Sequence, residues 1–524
     1  MGLLANFDPR FSDYGVLGLT AIVALTLTAY VVLNSLYNVY LHPLSQYPGP
    51  RLAAATRLWY CYHCTRGTLI HALHEAHQKY GDVVRAAPDE LSYTDPKAWN
   101  DIYGHRVGKG ELMKDPTFYS SISSGPGSII NADRSRHGLL RKQASHGFSE
   151  RALRSREHVI KDYADLMLAR LEESVAIGKP TVDIVDWYNF FTFDVMGDMV
   201  FGQSFDCLMN WGYHPWVKLI FDSVKASAFV RCAKYWSFLV PLATYLVPPG
   251  VRRRRVDQRK MARDKADYRM SIDDGRQDLI SGYLLPDSGV TSLEYQSTVA
   301  TLIIAGSETT ATLMSGLTYY ILKDAERLAK LKAEIRNAFS TVLEIDFVSV
   351  NKLPYLLACL DEALRIYPPV PDTFPRNTGP EEQIICGKVV PAWTVIGVHQ
   401  WSTYHSPRSF KSPDDFIPER WLEDNTGYEA DRKDAVQPFH VGPRNCLGRN
   451  LAYFEMRLLI ARLFWRFDLE LQPQSAKWNQ QKAYLLWEKP PMFVKLIPRD
   501  LPLLVPQKGS LHTDNRPSDS FVLH

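Results

Sequence analysis

The sequence predicts an α+β chain, mainly α-helical with small mixed β-sheets, preceded by one N-terminal transmembrane helix. Three observations predict this. From Tyr14 to Leu41 there is no Lys, Arg, Asp or Glu. Runs with apolar residues at helical spacing occupy Val159 to Ala176, Trp211 to Ala228 and Ser292 to Leu322, with Pro215 the one proline among them. Strand-like pieces are short, bounded by turn residues, and confined to a few patches.

Taken in order, residues 1–13 form a short leading segment and 14–41 the anchor. The run Gly15 to Leu33, GVLGLTAIVALTLTAYVVL, matches the ~20 apolar residues that cross a bilayer. A cleaved signal would carry a basic stretch before this run and a small-residue cleavage site after it. Here Asp8, Arg10 and Asp13 precede it and no such site follows, so an uncleaved anchor is expected. The first cations beyond it, Arg51 and Arg57, favour a cytosolic body. Residues 42–50, HPLSQYPGP, cannot continue a helix and read as a stiff hinge.

The body spans 51–502, without repeats or a low-complexity linker. Asp82 to Ala86 and Leu91 to Thr94 read as strands about the turn Pro88-Asp89-Glu90. Further strand-rich patches lie at Ile384 to Val398 and Tyr484 to Ile497. Residues 503–524, polar over Gly509 to His524, read as a flexible tail. No G-x-G-x-x-G fingerprint is present, so electrons for any redox chemistry come from another protein.

Composition excludes several classes. A net charge of +3, with no basic stripe interleaved with aromatics, argues against nucleic acid. Seven cysteines and no Asn-x-Ser/Thr sequon do not describe a secreted disulfide scaffold.

The chemistry concentrates in Phe439-His440-Val441-Gly442-Pro443-Arg444-Asn445-Cys446-Leu447-Gly448. Gly and Pro force a loop, and a helix-like run follows. Cys446 therefore lies at a helix N-terminus, where backbone N–H groups and the dipole favour a thiolate. Arg444, two residues before it, offers a cation on which a carboxylate can dock. Glu362 and Arg365 share one side of the helical run Leu353 to Ile366; unaided, such a pair is an exposed contact of about 0.5 kcal/mol or less. Ala305-Gly306-Ser307-Glu308-Thr309-Thr310 puts a glycine, a carboxylate and hydroxyls at the middle of a long apolar helix, which is poor for helix stability. His137 and Arg141 are four apart in a further helical run.

Other features read as bland. Cys61-Tyr62-His63-Cys64 lacks the further ligands a zinc site needs. His71, His74 and His77 read as a solvated face of an amphipathic helix. Arg252 to Arg255 reads as a solvated helix start, with contact to anionic lipid as the sharper alternative.

In the order and spacing of these motifs the chain resembles the cytochrome P-450 family. The Cys446 loop fits that family's Phe-x-x-Gly-x-Arg-x-Cys-x-Gly pattern, and Glu362-x-x-Arg365 and Pro418-Glu419-Arg420 fit two more of its motifs. The stretches Tyr37 to Tyr60 and Tyr80 to Arg106 are especially similar to fungal microsomal members of secondary metabolism. The resemblance implies heme b (iron protoporphyrin IX) with Cys446 as its axial thiolate, in a loop framed by Phe439 and Gly448. It implies that Arg444, Arg141, Arg376 and His137 contact the propionates. Thr309 would bond the oxygen being activated, Glu308 would deliver protons, and Gly306 would leave room for oxygen and substrate. Glu362, Arg365 and Arg420 would form a structural cluster. His440 departs from the commoner residues after the loop Phe.

The activity so implied is a monooxygenase that uses O2 to hydroxylate or epoxidise a lipophilic small molecule. NADPH would act only indirectly, through a membrane-bound NADPH–cytochrome P-450 reductase, with cytochrome b5 a further candidate donor. The expected site is the endoplasmic reticulum membrane, single-pass, with the catalytic body cytosolic. By position, Ile122 to Ile130, Phe221, Ala305 and Val370 to Phe374 are candidate substrate contacts. Desaturation, coupling or rearrangement on the same cofactor is the alternative chemistry. A haem-binding sensor is the alternative without turnover, and the Glu308–Thr309 pair speaks against it.

Overall fold

The segment Ser292–Leu322 is one helix of 31 residues, with the bounds the sequence predicts. Thr291 opens it with a capping box: its side chain accepts from the Glu294 N–H while the Glu294 carboxylate accepts from the Thr291 N–H. At about 1.5 Å per residue the helix is about 46 Å long. The computed structural model describes residues 9–106, 108, 110–122, 125, 127–236, 249–272 and 275–501. Residues 1–8, the tail, and Ser123, Ser124 and Pro126 of the expected pocket loop lie outside these, as do the side chains of Phe221 and Arg252 to Arg255.

The long helix packs along Ile184–Phe201, and two of its hydroxyls, Ser307 and Thr318, are used in that packing. Ser307 Oγ donates to the Thr192 carbonyl at 3.2 Å, and Thr318 and Tyr188 hydroxyls meet at 2.7 Å. A Cβ on Gly306 would lie 2.6 Å from Met196. This corrects one expectation: the missing side chain of Gly306 makes room for a neighbouring helix, not for substrate. Leu317, Ile321, Phe191 and Leu463 belong to one core shared with Glu157–Ala176, Pro354–Ile366 and Arg449–Arg466.

The strands form small sheets, as expected. The largest is mixed, in the order Val83–Ala87, Glu90–Tyr93, Val395–Val398, Arg376–Asn377, Met113–Lys114. Glu90–Tyr93 runs parallel to Val395–Val398, with Glu90 opposite Val395, and the other pairs are antiparallel. Thr181–Asp183, Phe493–Pro498 and Phe467–Leu471 form a three-stranded antiparallel sheet, and two hairpins complete the set.

Two helical expectations change. The predicted Trp211 to Ala228 helix runs instead over Pro215–Lys234. Trp211 is left-handed (φ 53°) and ends the short helix Cys207–Asn210, and proline at the first helical position restarts the chain. The helix Leu69–Tyr80 does not turn its histidines to solvent. His77 is buried between the Gly81 carbonyl (2.8 Å) and Ser92 Oγ (2.6 Å), and His71 lies edge-on to Trp401. Burial lowers the His77 pKa to about 3. Cys61 and Cys64 are buried core thiols.

At the N-terminal end the helix Pro9–Tyr40 contains Leu17–Tyr40, which is long and apolar enough to cross a membrane. Its last turns are fastened to the body. Asn38 Nδ2 donates to the Ala55 carbonyl at 3.0 Å, and buried Arg85 donates to the Asn38 carbonyl at 2.8 Å. In the hinge, the Pro48 carbonyl accepts from the Arg85 N–H at 2.8 Å, and the Tyr47 hydroxyl donates to Val389 at 3.0 Å. A Cβ on Gly49 would come 2.5 Å from the Arg85 carbonyl, so only glycine permits this approach.

Candidate active site around Cys446

Residues 439–448 form the predicted loop, which ends at the helix Arg449–Arg466 with Gly448 as its N-cap. A short 3-10 turn over Gly442–Arg444 reverses the chain, and the Cys446 N–H returns to the Phe439 carbonyl at 2.8 Å. Gly442 is left-handed (φ 73°), and a Cβ there would lie 1.9 Å from the Tyr103 carbonyl. The Phe439 ring packs 5.1 Å from that of Tyr453. His440 is wedged between the rings of Tyr103 (4.1 Å) and Trp99 (5.2 Å), and burial, then Arg376, lowers its pKa to about 3.

Of the seven cysteines, six are buried or half-buried and Cys446 alone is exposed. The sulfur nonetheless sits amid protein: burial pushes the thiol up, while the Gly448 N–H, Arg141 and Arg449 pull it down. Cys446 thus keeps accessible surface although protein surrounds its thiol. On the long helix, Leu302, Ala305 and Thr309 also keep accessible surface, whereas Ile303, Ser307 and Glu308 are buried. Val370 and Phe374 are likewise half-buried. The Thr309 hydroxyl donates to the Ala305 carbonyl at 2.5 Å.

The four residues expected at the propionates come from three parts of the chain. Arg141 and His137 lie on Arg134–Ser145, Arg376 in the mixed sheet, and Arg444 in the loop. Arg141 donates to the Asn445 carbonyl at 2.7 Å and to its side chain. Arg444 is bidentate to Glu111 (2.5 and 3.0 Å) and donates to the Ala132 carbonyl at 2.9 Å. Arg376 is 4 % exposed, and its Nη1 has no hydrogen-bond partner among the described residues. His137 is buried, and its pKa falls to about 4 through burial first, then Arg444, Lys114 and Arg141.

Two members of this cluster were not found in the sequence. Lys114 donates to the Ile130 and Ala132 carbonyls, and burial, then Arg444 and Arg376, lowers its pKa to about 7. Glu111 is held below the usual carboxylate range by Arg444 against the opposing effect of burial. Two arginines, Arg444 and Arg376, and Lys114 thus surround the Glu111 carboxylate. Such a cationic excess in a half-buried site suits a ligand with carboxylate groups.

Glu308 lies apart from Thr309. Its carboxylate pairs with Lys489, which follows the strand Trp487–Glu488, and it is 3.4 Å from Thr312 Oγ1. Nothing in the local sequence around Glu308 points to this lysine.

Glu362, Arg365 and Arg420 meet with no exposure at all. Arg365 donates to both Glu362 oxygens (2.7 and 2.9 Å), Arg420 Nε to Oε1 at 3.2 Å, and Trp421 Nε1 to Oε2 at 2.7 Å. The remaining guanidinium donors reach the carbonyls of Tyr404, Pro413, Asp415, Lys411 and Ser412 and the Asp431 carboxylate.

The family model named Cytochrome P450 matches residues 48–496. Cytochrome P450 monooxygenase astA of Talaromyces wortmannii is 44% identical over 92% of this chain and 97% of its own length. Cytochrome P450 monooxygenase astJ of Aspergillus oryzae is 41% identical over 89% of this chain and 94% of its own. Averantin hydroxylase of Dothistroma septosporum is 40% identical over 95% and 97%. With a match across the whole body and relatives at this identity, the chain belongs to the cytochrome P450 family, the oxidoreductases that carry haem on a cysteine thiolate.

Proposed function

We propose that this chain is a membrane-anchored monooxygenase that hydroxylates or epoxidises a lipophilic small molecule in fungal secondary metabolism, with Cys446 as the axial ligand of heme b. The single observation that carries the assignment of the ligand is that Cys446 alone of the cysteines is exposed, in the loop that opens the helix Arg449–Arg466. The surrounding residues fit the cofactor. Arg376 keeps a buried, unpartnered Nη1, and with Arg444, Arg141, Lys114 and His137 it offers donors for two carboxylates. Phe439 and Gly448 frame the sulfur from either side in sequence.

When bound, the haem supplies O2 activation, and the thiolate's electron donation favours O–O cleavage. This chain's residues do the rest. Leu302, Ala305, Val370 and Phe374 line the interior with apolar surface, which selects a lipophilic substrate and excludes water. Thr309 holds a hydroxyl in that lining, and Glu308, the next residue back on the helix, is the reservoir of protons. Glu362, Arg365 and Arg420 act structurally, by fixing the segment that leads into the Cys446 loop.

Electrons come from NADPH through a membrane-bound reductase, with cytochrome b5 a further candidate donor. A cleft lined by Glu150, Asn351, Arg449, Asn450, Tyr453 and Arg457 lies at the start of the helix that follows Cys446, and its guanidiniums suit an acidic donor surface. The apolar helix Leu17–Tyr40 supports membrane anchoring, and the location proposed with it is the endoplasmic reticulum membrane with a cytosolic body.

The test is a carbon monoxide difference spectrum of the dithionite-reduced protein, wild type against Cys446→Ser. A strongly red-shifted Soret band that the substitution abolishes is the expected result. A haem spectrum without that shift in the wild type would remove the thiolate assignment.

A further inference from the structure

We propose that Lys489 is the positioning residue for Glu308 and that the two work as one unit in supplying protons to the Ala305–Thr309 strip. The inference rests on the reading of Glu308 as the proton reservoir and adds the group on which that role depends.

The Glu308 and Lys489 side chains are 3 % and 4 % exposed, and they come from positions 181 residues apart in the chain. The ammonium donates to Glu308 Oε1 and, at 2.5 Å, to Thr312 Oγ1, so one cation holds two groups on the same face of the long helix. Glu308 Oε2 is buried and has no hydrogen-bond partner among the described residues. No other Lys or Arg is ion-paired with Glu308 among those residues. The other titratable groups that feel its charge are the Tyr213 and Tyr367 hydroxyls; Tyr213 donates to Asp186 at 2.7 Å and Tyr367 to Gln481 at 2.7 Å.

A carboxylate this deeply buried needs a counter-charge, and without one it takes up a proton and keeps it. A group that relays protons must return to its charged form after each delivery. Lys489 meets that need through Oε1 and leaves Oε2 free to take up a proton. A proton taken up at Oε2 from water is passed on through water toward the Ala305–Thr309 strip, leaving hydroxide behind to be neutralised by solvent protons, the carboxylate re-forms against the ammonium, and the pair is unchanged. As packing alone the arrangement is costly, because a lysine and a glutamate are both taken out of water where apolar residues of like volume would serve stability as well. The pair also ties the hairpin Lys482–Ala483/Trp487–Glu488 to the helix turn that carries Thr309.

The experiment uses the full-length, haem-loaded protein with a diflavin reductase and NADPH, without added substrate. It measures the ratio of hydrogen peroxide to water formed from O2, because peroxide consumes two protons per O2 and water four. Infrared spectra of the same proteins, haem-loaded and haem-free, report a protonated carboxyl directly. The variants are Lys489→Met, Lys489→Arg, Glu308→Gln and the Lys489→Met/Glu308→Gln double substitution.

Relative to wild type, Lys489→Met is expected to gain a protonated-carboxyl band that the double variant does not gain, over the band of buried acids such as Glu455 common to all the proteins. Lys489→Met and Glu308→Gln should each raise the peroxide-to-water ratio by roughly 10²-fold, the lower figure for a positioned proton donor. The double variant should go no further, as for residues that act as a unit. Lys489→Arg should stay near wild type. Absence of the band, effects that multiply in the double variant, or an unchanged ratio in Lys489→Met beside a raised one in Glu308→Gln would each overturn the role of Lys489 alone. An unchanged ratio in Glu308→Gln would instead remove the proton-reservoir reading. If Lys489→Met fails to fold, Lys489→Gln, which keeps a hydrogen-bond donor and loses the charge, takes its place, and a wild-type ratio there beside a raised one in Glu308→Gln would overturn the role of Lys489.

Discussion

The body holds two clusters of buried arginines, and they are built on opposite plans. Around Glu362 the guanidinium donors of Arg365 and Arg420 end on carboxylates and carbonyls, with the indole of Trp421 completing the ring. Around Arg376 the count of cations exceeds that of carboxylates, one guanidinium nitrogen is left over, and a lysine is pushed toward its neutral form. A closed network spends its charge on holding the chain together. An open one keeps charge available for something the chain does not itself contain. Arg376 is buried much as Arg365 and Arg420 are, so burial alone does not tell a structural charge from a binding one; the balance of donors and acceptors does.

The largest effect that sharpens this contrast is expected from Glu362→Ala. It strands two guanidiniums with no exposure, and breaking such a pair costs about 3–5 kcal/mol. That is a large part of a typical stability of about 5–15 kcal/mol. Haem-free, aggregated protein should result, as read from the haem-to-protein ratio of the soluble fraction. Normal haem incorporation would mean that the closed network is not what supports the Cys446 side of the fold.

Arg376→Met should behave in the reverse way. It removes a guanidinium that lacks a full set of partners, so the haem-free protein should keep its denaturation midpoint. Haem transfer to an acceptor apoprotein should quicken by about ten- to hundredfold, as a charge-assisted hydrogen bond of about 1.5–3 kcal/mol is lost. Equal loss of stability in haem-free and haem-loaded protein would place Arg376 with the closed cluster instead.

The smallest effect concerns pH. Burial, then Arg444 and Arg376, brings Lys114 from its ordinary value near 10.5 down to about 7, with Glu111 and Asp133 opposing. Between those two values the unfolded chain holds a proton that the folded chain does not, so stability of the haem-free protein should rise with pH across that window. Lys114→Met should flatten that slope in denaturant titrations taken at several pH values. An unaltered slope would show that Lys114 does not feel the excess of positive charge.

Where local chemistry dictates structure, the chain could be read directly. The long helix begins and ends at the predicted residues because Thr291 and Glu294 form a capping box and the apolar spacing runs unbroken from there. The Cys446 loop was legible because Gly442 admits no side chain against Tyr103 and a helix must start just beyond the cysteine. What could not be read depends on partners far away in the chain. Glu111 lies 333 residues from Arg444 and Lys489 lies 181 from Glu308, and no periodicity links either pair. His77 misled for the same reason: the helix is amphipathic, but strand Glu90–Tyr93 brings Ser92 against the histidine and turns an apparent surface residue inward. Gly306 misled because its neighbour, Met196, comes from another helix.

The join between the N-terminal helix and the body has a mechanical consequence. A helix that spans a bilayer tilts to match the local thickness of the hydrocarbon layer. Here Arg85 grips the last turns of that helix and the hinge together, and the close approach at Gly49 leaves little play between them. Any tilt taken up by the helix is therefore handed on to the body, like a gauge needle fixed to its spindle. The angle at which the catalytic body faces the lipid surface then becomes a measure of membrane thickness.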